Sequence, residues 1–142
     1  MAQAQDQLDK WAIRCRDKCG ARCCSYITVQ IPAPKSVRDL DEISWWLTHH
    51  HVIVYVESRR WHLEVRTACK FLTGDKLCGI YEDRPGVCRQ YDPKSCEFPA
   101  RPVHTLEFDS RDEFEGWREK KRKERAARRR AGWAAPARAR KT

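Results

Sequence analysis

The sequence lacks any long run of apolar residues, and this absence argues against two classes of protein. The longest apolar run near the middle of the chain, Val52 to Val56, has only the length of a strand. A membrane-spanning helix needs about 20 apolar residues, so we expect no span. The segment from Met1 to Gln7 is largely polar and does not resemble the apolar core of a secretory signal. We therefore expect a cytoplasmic protein.

The sequence also lacks the motifs by which many enzymes are recognised. It has no glycine-rich loop of the dinucleotide-binding type. None of its serines lies in a nucleophile-elbow context, and no catalytic triad is readable. These absences favour a binding protein over an enzyme.

Cysteine is abundant instead, with eight in 142 residues. In a reducing cytosol, clustered thiols are more often metal ligands or redox groups than disulfides. Zinc and iron–sulfur clusters both take several thiolate ligands, so we predict a metal site built from zinc or iron, with an iron–sulfur cluster as one form. The candidate ligands are Cys15, Cys19, Cys23, Cys24, Cys69, Cys78, Cys88 and Cys96.

The spacing of the cysteines does not choose between the metals. On a helix, Cys15, Cys19 and Cys23 would fall within about 80° of one another. Such a helix is predicted over residues 7–24. Alternatively, it ends around Gly20, and the chain then turns so that Cys23 and Cys24 wrap back. The later cysteines match neither paired CxxC zinc knuckles nor a ferredoxin run. A set of disulfides therefore stays open as an alternative.

The segments between the cysteines predict an α+β fold. Alternating or β-branched runs predict short antiparallel strands over 26–31, 52–56, 61–67 and 103–108. Capping residues and proline predict helices over 36–49, after Pro85, and over 110–130. We expect one small domain, residues 1–109, organised around a cysteine-ligated metal centre. A basic helical tail, residues 110–142, is expected to loosen toward its end.

The net charge of +9 is concentrated in that tail. Residues 111–142 hold 13 Lys/Arg and 5 Asp/Glu, whereas residues 1–110 are nearly neutral. A basic tail predicts an anionic partner such as nucleic acid or a membrane surface, or else it is only a solvated helix. The sequence indicates no protein partner.

The histidines are weaker candidates than the cysteines. Adjacent residues on a helix point in different directions, so His49–His51 cannot all face one ion. They lie where a helix ends, and histidine there can satisfy the helix dipole. His62 alternates onto the polar face of its strand and is predicted to be solvated, while His104 has no evident partner.

Two arginines flank one of the later cysteines. Four thiolates around one divalent metal leave a net negative charge, which nearby cations offset. Arg84 and Arg89 lie on either side of Cys88. Each is either such a cation or an ordinary surface arginine.

Short stretches around the cysteines form a recognisable set. They are Cys23-Cys24, Cys69-Lys-Phe-Leu72, Cys78-Gly-Ile-Tyr81, Arg84-Pro85 and Cys88-Arg89-Gln-Tyr91. Over residues 12–98 the chain resembles the YkgJ-type cysteine-cluster proteins, which carry the CxxCxxCC zinc- or iron-chelating domain. It departs from the family pattern in having three residues, not two, between its first cysteines. The resemblance implies metal chelation by the cysteines and implies no particular reaction.

Overall fold

A computed structural model describes residues 13–90 and 104–133 of the chain and confirms the α+β class. Four strands form a single sheet: β1 (Ile27–Ile31), β2 (Val52–Glu57), β3 (Arg60–Val65) and β4 (Leu106–Phe108). Three α-helices accompany them: α1 (Val37–Trp46), α2 (Gly86–Arg89) and α3 (Arg111–Trp133). The predictions for residues 1–12, 91–103 and 134–142, Cys96 among them, lie outside the described residues.

The sheet is antiparallel, with the strand order β1-β3-β2-β4. The predicted hairpin of β2 and β3 is confirmed, and its turn is made by Ser58 and Arg59. Both residues have left-handed φ angles, 48° and 66°. Two consecutive left-handed residues match the right-handed twist of the paired strands, so the turn closes the hairpin without glycine.

The hydrophobic core lies between one face of the sheet and the helices. Val54 and Val56 on β2 pair with Leu63 and Trp61 on β3, so all four side chains share that face. The fully buried Phe114 of α3 packs against it. The buried core cluster contains no cysteine and consists of Ile43, Leu47, Val54, Val56, Trp61, Phe108 and Phe114.

Helix α1 begins as the capping pattern predicts. The Ser36 side chain accepts a bond from the Asp39 N–H, and the Asp39 carboxylate accepts one from the Ser36 N–H. The helix ends at Trp46 rather than at His49. His49 Nδ1 lies 3.1 Å from the carbonyl oxygen of Trp45, so the predicted role of this histidine at the helix end is confirmed.

The face of the sheet opposite the helices carries a stack of three rings. Tyr55 lies between His62, at a centroid distance of 4.9 Å, and His104, at 4.0 Å. The prediction that His62 is solvated is wrong, because its Nδ1 is buried and has no hydrogen-bond partner within the described part of the chain. His104 does have a partner, since its Nδ1 lies 2.6 Å from Glu107 Oε2. Strand pairing brings these rings together from positions that the sequence leaves far apart.

Helix α3 is joined to α1 by a polar network at the edge of the core. The buried Ser44 hydroxyl donates to Glu115 Oε1 at 2.6 Å and accepts from Arg111 Nε at 3.3 Å. Arg118 donates to Glu115 Oε1 at 2.8 Å and to Asp41 Oδ1 at 2.9 Å. The hydroxyl of Ser44, followed by the Arg118 guanidinium, lowers the pKa of Glu115.

Replacing Ser44 with alanine is expected to remove about 1 kcal/mol of the free energy of unfolding at neutral pH. Because the pKa of Glu115 is lowered in the folded state, its stabilisation is complete above the ordinary carboxyl pKa of about 4.3 and fades as the pH falls further. The difference between Ser44→Ala and wild type should therefore shrink in acid. Urea unfolding from pH 7 to pH 3 measures it, with the exposed Val37→Ala as control. A difference that stays constant over this range would contradict the assignment.

Candidate metal centre

The first cysteine segment is two short turns rather than one long helix. A π-helical turn runs over Arg14–Cys19, and a 3-10 turn over Arg22–Cys24. Gly20 and Ala21 between them have left-handed φ angles of 67° and 54°. A right-handed helix cannot continue through such residues. A helix reaching Cys24 is therefore wrong, and the predicted end around Gly20 is confirmed.

The pairing of β1 with β3 brings the two cysteine groups together. The register sets Ile27, near Cys24, opposite Val65, near Cys69. In an antiparallel pair the start of one strand lies beside the end of the other. The Cys69 N–H donates to the carbonyl oxygen of Cys24 at 2.7 Å. Two cysteines 45 positions apart in the sequence thus become backbone neighbours.

A tight loop carries the chain from Cys69 to Cys78. The Thr73 N–H donates to the carbonyl oxygen of Leu77 at 2.9 Å, and the Thr73 side chain accepts from the Leu77 N–H at 3.1 Å. Beyond the turn, the Gly79 N–H donates to the Phe71 carbonyl at 2.8 Å. A Cβ atom at Gly79 would lie 3.1 Å from that oxygen, a close approach that explains the glycine after Cys78.

Two arginines hold the loop before Cys88. Arg84 Nε donates to the carbonyl oxygen of Tyr81 at 2.8 Å, and the Arg84 guanidinium lies 3.7 Å from the centre of the Tyr81 ring. Arg89 Nε donates to the Arg84 carbonyl at 2.8 Å, and Arg89 Nη2 bonds the carbonyl of Glu82. Their contacts clamp the backbone, a role that sequence reasoning missed. The Tyr-x-x-Arg-Pro stretch is the one feature of the sequence that could have indicated this role.

None of the seven described cysteines lies in a disulfide, and sulfurs among them influence one another. Burial raises the pKa of Cys24, and the charges of Cys69, Cys78 and Cys88 raise it further. Cys23 is exposed as a residue, yet desolvation of its thiol, with the charges of Cys24 and Cys19, raises its pKa to about 11. Mutual repulsion of this kind is what a bound cation relieves, because thiolates bind metals in the deprotonated form.

The structure therefore gathers the predicted ligands unevenly. Cys24 is near the three later cysteines that are described, and Cys23 is near Cys19 and Cys24. Cys15 contacts the start of the second turn through its backbone, because its carbonyl oxygen accepts a hydrogen bond from the Ala21 N–H at 2.8 Å. Within residues 13–90 and 104–133, no three cysteine, histidine or acidic side chains are already close enough to hold an ion. The soft thiolate donor set nonetheless fits zinc or iron.

The cysteine segments have almost no hydrophobic core of their own. Across residues 13–26 and 66–90, Ala21 alone is buried. Phe71 and Val87, beside the cysteines, are 53% and 76% exposed. Backbone hydrogen bonds and the arginine clamps are the contacts that hold these segments, and buried apolar area contributes little.

Comparison with known proteins identifies the family. No curated protein and no solved structure matches the chain, and no helix in the described ranges is both long and apolar enough to cross a membrane. Residues 14–123 match the family model described as "CxxCxxCC: Putative zinc- or iron-chelating domain". That match includes the seven described cysteines and most of the sheet and helices. The chain therefore belongs to the CxxCxxCC family of zinc- or iron-chelating domains.

Proposed function

We propose that this chain holds its zinc or iron in a four-thiolate centre formed by Cys24, Cys69, Cys78 and Cys88. The observation that carries the proposal is the hydrogen bond from the Cys69 N–H to the Cys24 carbonyl oxygen at 2.7 Å, with Cys78 and Cys88 near enough for their charges to raise the pKa of Cys24. Four thiolates are a complete ligand set for tetrahedral zinc and for an iron–sulfur cluster. Cys15, Cys19, Cys23 and Cys96 remain candidate ligands of a second centre.

The metal's role is structural in this proposal. A bound ion would join the segment before β1 to the segment after β3, both of which bury little apolar surface. Metal binding to such a site contributes directly to folding. No catalytic constellation is part of the proposal.

An iron–sulfur redox or modification-associated protein is the alternative form of this function. It uses the same thiolates and differs in the metal. Thiolate ligands persist in a reducing compartment, so we propose a cytoplasmic location for either form. Anaerobically purified protein with a brown colour and visible absorbance would establish the cluster, whereas colourless protein containing zinc would exclude it.

Replacing Cys24 with serine is expected to remove most of the bound metal. Structural zinc sites bind with roughly 10–16 kcal/mol, so the loss of one ligand in four should weaken binding roughly 100- to 1,000-fold. Elemental analysis after dialysis against a competing chelator measures this loss. Cys15→Ser is the matched control, since Cys15 is outside the proposed set, and it should retain at least one metal per chain. Equal losses from both variants would overturn the four-thiolate assignment.

Association with nucleic acid through the basic tail is a second candidate function. The helix α3 favours it, because its exposed residues from Lys120 to Arg130 include eight lysines and arginines against one glutamate. Removing the entire tail from residue 111 would also remove the buried Phe114. Truncation after Arg118 spares that core contact and is the cleaner test.

A further inference from the structure

We infer that the far part of α3, from Arg125 to Trp133, binds the phosphates of duplex nucleic acid through a stripe formed by Arg125, Arg128 and Arg129. The near part, from Glu119 to Glu124, differs from it in having glutamates beside its cations. The inference rests on the second candidate function above and specifies where on the tail it resides. It follows from which cations of the helix already have acidic partners, from the position along the helix at which its ion pairs with the rest of the fold end, and from the residue types along it.

The near part of the helix is neutralised by its own glutamates. Lys121 Nζ lies 2.9 Å from Glu124 Oε2, and Arg122 Nη2 lies 2.7 Å from Glu119 Oε2. Lys123 Nζ lies 3.5 Å from Glu119 Oε1. Exposed pairs of this kind are individually weak, but a phosphate approaching any of these cations must compete with a carboxylate already beside it.

The far part of the helix has cations and no acid. From Arg125 to Trp133 the sequence has four arginines and no Asp or Glu. Arg125, Arg128, Arg129 and Arg130 form no ion pair within 4.0 Å with any described residue, although the charge of Arg128 helps to lower the pKa of Glu124. Arg125, Arg128 and Arg129 are spaced i, i+3, i+4, so their side chains lie on one side of the helix and repel one another. An anion bridging them would relieve this repulsion.

The far part is also placed to reach a large partner. The last ion pair between α3 and the rest of the fold joins Arg118 to Asp41. Every ion pair beyond Arg118 in the described chain joins two residues of the helix itself. The remaining helix, Glu119 to Trp133, is about 22 Å long at 1.5 Å per residue. It thus presents a basic rod beyond the core.

The residue types along this rod favour a nucleic-acid duplex over other polyanions. From Glu119 to Gly132 there is no large apolar residue, whereas a helix that lies in a membrane surface needs an apolar face to insert. The rod has one aromatic ring, that of Trp133 at its end, whereas proteins that hold single strands stack successive bases on several aromatic rings. It also has no asparagine or glutamine for reading the edges of adenine. Of the polyanions considered, these residue types fit best the phosphates of a duplex, which a protein can bind without sequence preference.

The test compares two variants of the full-length, metal-loaded protein with the same change in charge. In one, Arg125, Arg128 and Arg129 become glutamine, and in the other Lys121, Arg122 and Lys123 become glutamine. Glutamine has nearly the same helix propensity as lysine and arginine, and far-UV circular dichroism checks that α3 persists. Fluorescence anisotropy with a labelled DNA duplex of about 20 base pairs, between about 50 and 200 mM salt, gives the affinity and its salt dependence.

We expect the stripe variant to lower the slope of log affinity against log salt by about 2 to 3, as the loss of three phosphate contacts requires. Its affinity should fall at least about tenfold more than that of the paired variant. Equal losses from both variants, or anionic phosphatidylserine vesicles binding as tightly as the duplex, would overturn the inference. A chain truncated after Arg118 that binds as well as wild type would overturn the second candidate function itself. Duplex RNA in place of DNA tells which nucleic acid the stripe prefers.

Discussion

Removal of the metal should disorder the cysteine segments while the sheet keeps its core. Residues 13–26 and 66–90 bury almost no apolar side chain, so in the proposed centre the metal supplies most of their stabilisation. Structural zinc typically contributes about 10–16 kcal/mol, which is comparable to the whole stability of a domain of this size. Amide hydrogen exchange and circular dichroism before and after chelation measure the loss, and exchange protection should fall first in these segments.

Two controls give this prediction its meaning. Returning zinc or iron to the stripped protein should restore the protection, which separates metal loss from oxidation of the thiols. If titration of the denatured, demetallated protein without reductant finds all eight thiols, disulfides are excluded as the alternative cross-link between the segments. A full native spectrum and unchanged exchange after verified demetallation would show that the metal has no structural role.

Truncating Phe114 to alanine should cost about 3 to 5 kcal/mol of the free energy of unfolding. Its ring is fully buried and has edge contact with Phe108 at 5.2 Å and stacks on Trp117 at 5.6 Å. The substitution leaves a cavity beneath the sheet and detaches the first turns of α3. Urea unfolding measures the difference.

The matched control for Phe114 is Val37→Ala on α1. Val37 is 70% exposed, and a surface truncation of this kind usually changes stability by less than about 0.5 kcal/mol. Phe114→Ala should also leave the metal content of folded protein unchanged, because the core cluster contains no cysteine. A loss of metal without a loss of stability would mean that metal binding by the cysteine segments depends on the packing of Phe114, contrary to this prediction.

Much of the fold could be predicted because it depends on local pattern. The alternation in β3 and the β-branched run in β2 specify the hairpin, and Ser36 marks the start of α1. The predicted end at Gly20 was correct for a local reason as well, since only a left-handed residue stops that turn. The division of the chain at residue 109 stays a prediction, although Phe114 beyond it packs into the core.

The candidate site was harder to predict because it depends on register. Nothing near Cys24 in the sequence indicates Cys69 as its neighbour; the pairing of Ile27 with Val65 does. His62 looked solvated because alternation alone cannot show that the ring of Tyr55, itself stacked on His104, covers it. The clamp by Arg84 and Arg89 escaped prediction because side-chain bonds to carbonyl oxygens leave little trace in residue spacing.

The alignment of β1 with β3 has a consequence for how the protein would acquire its metal. A slip of two residues between these strands keeps every side chain on its own face but moves the strands by about 6.6 Å. That displacement is nearly three times a zinc–sulfur bond of about 2.3 Å, so Cys24 and Cys69 could no longer share an ion. In the proposed centre, a sheet with this misalignment would not bind the metal. Metal binding would therefore stabilise only the sheet in which β1 and β3 are paired in the correct register.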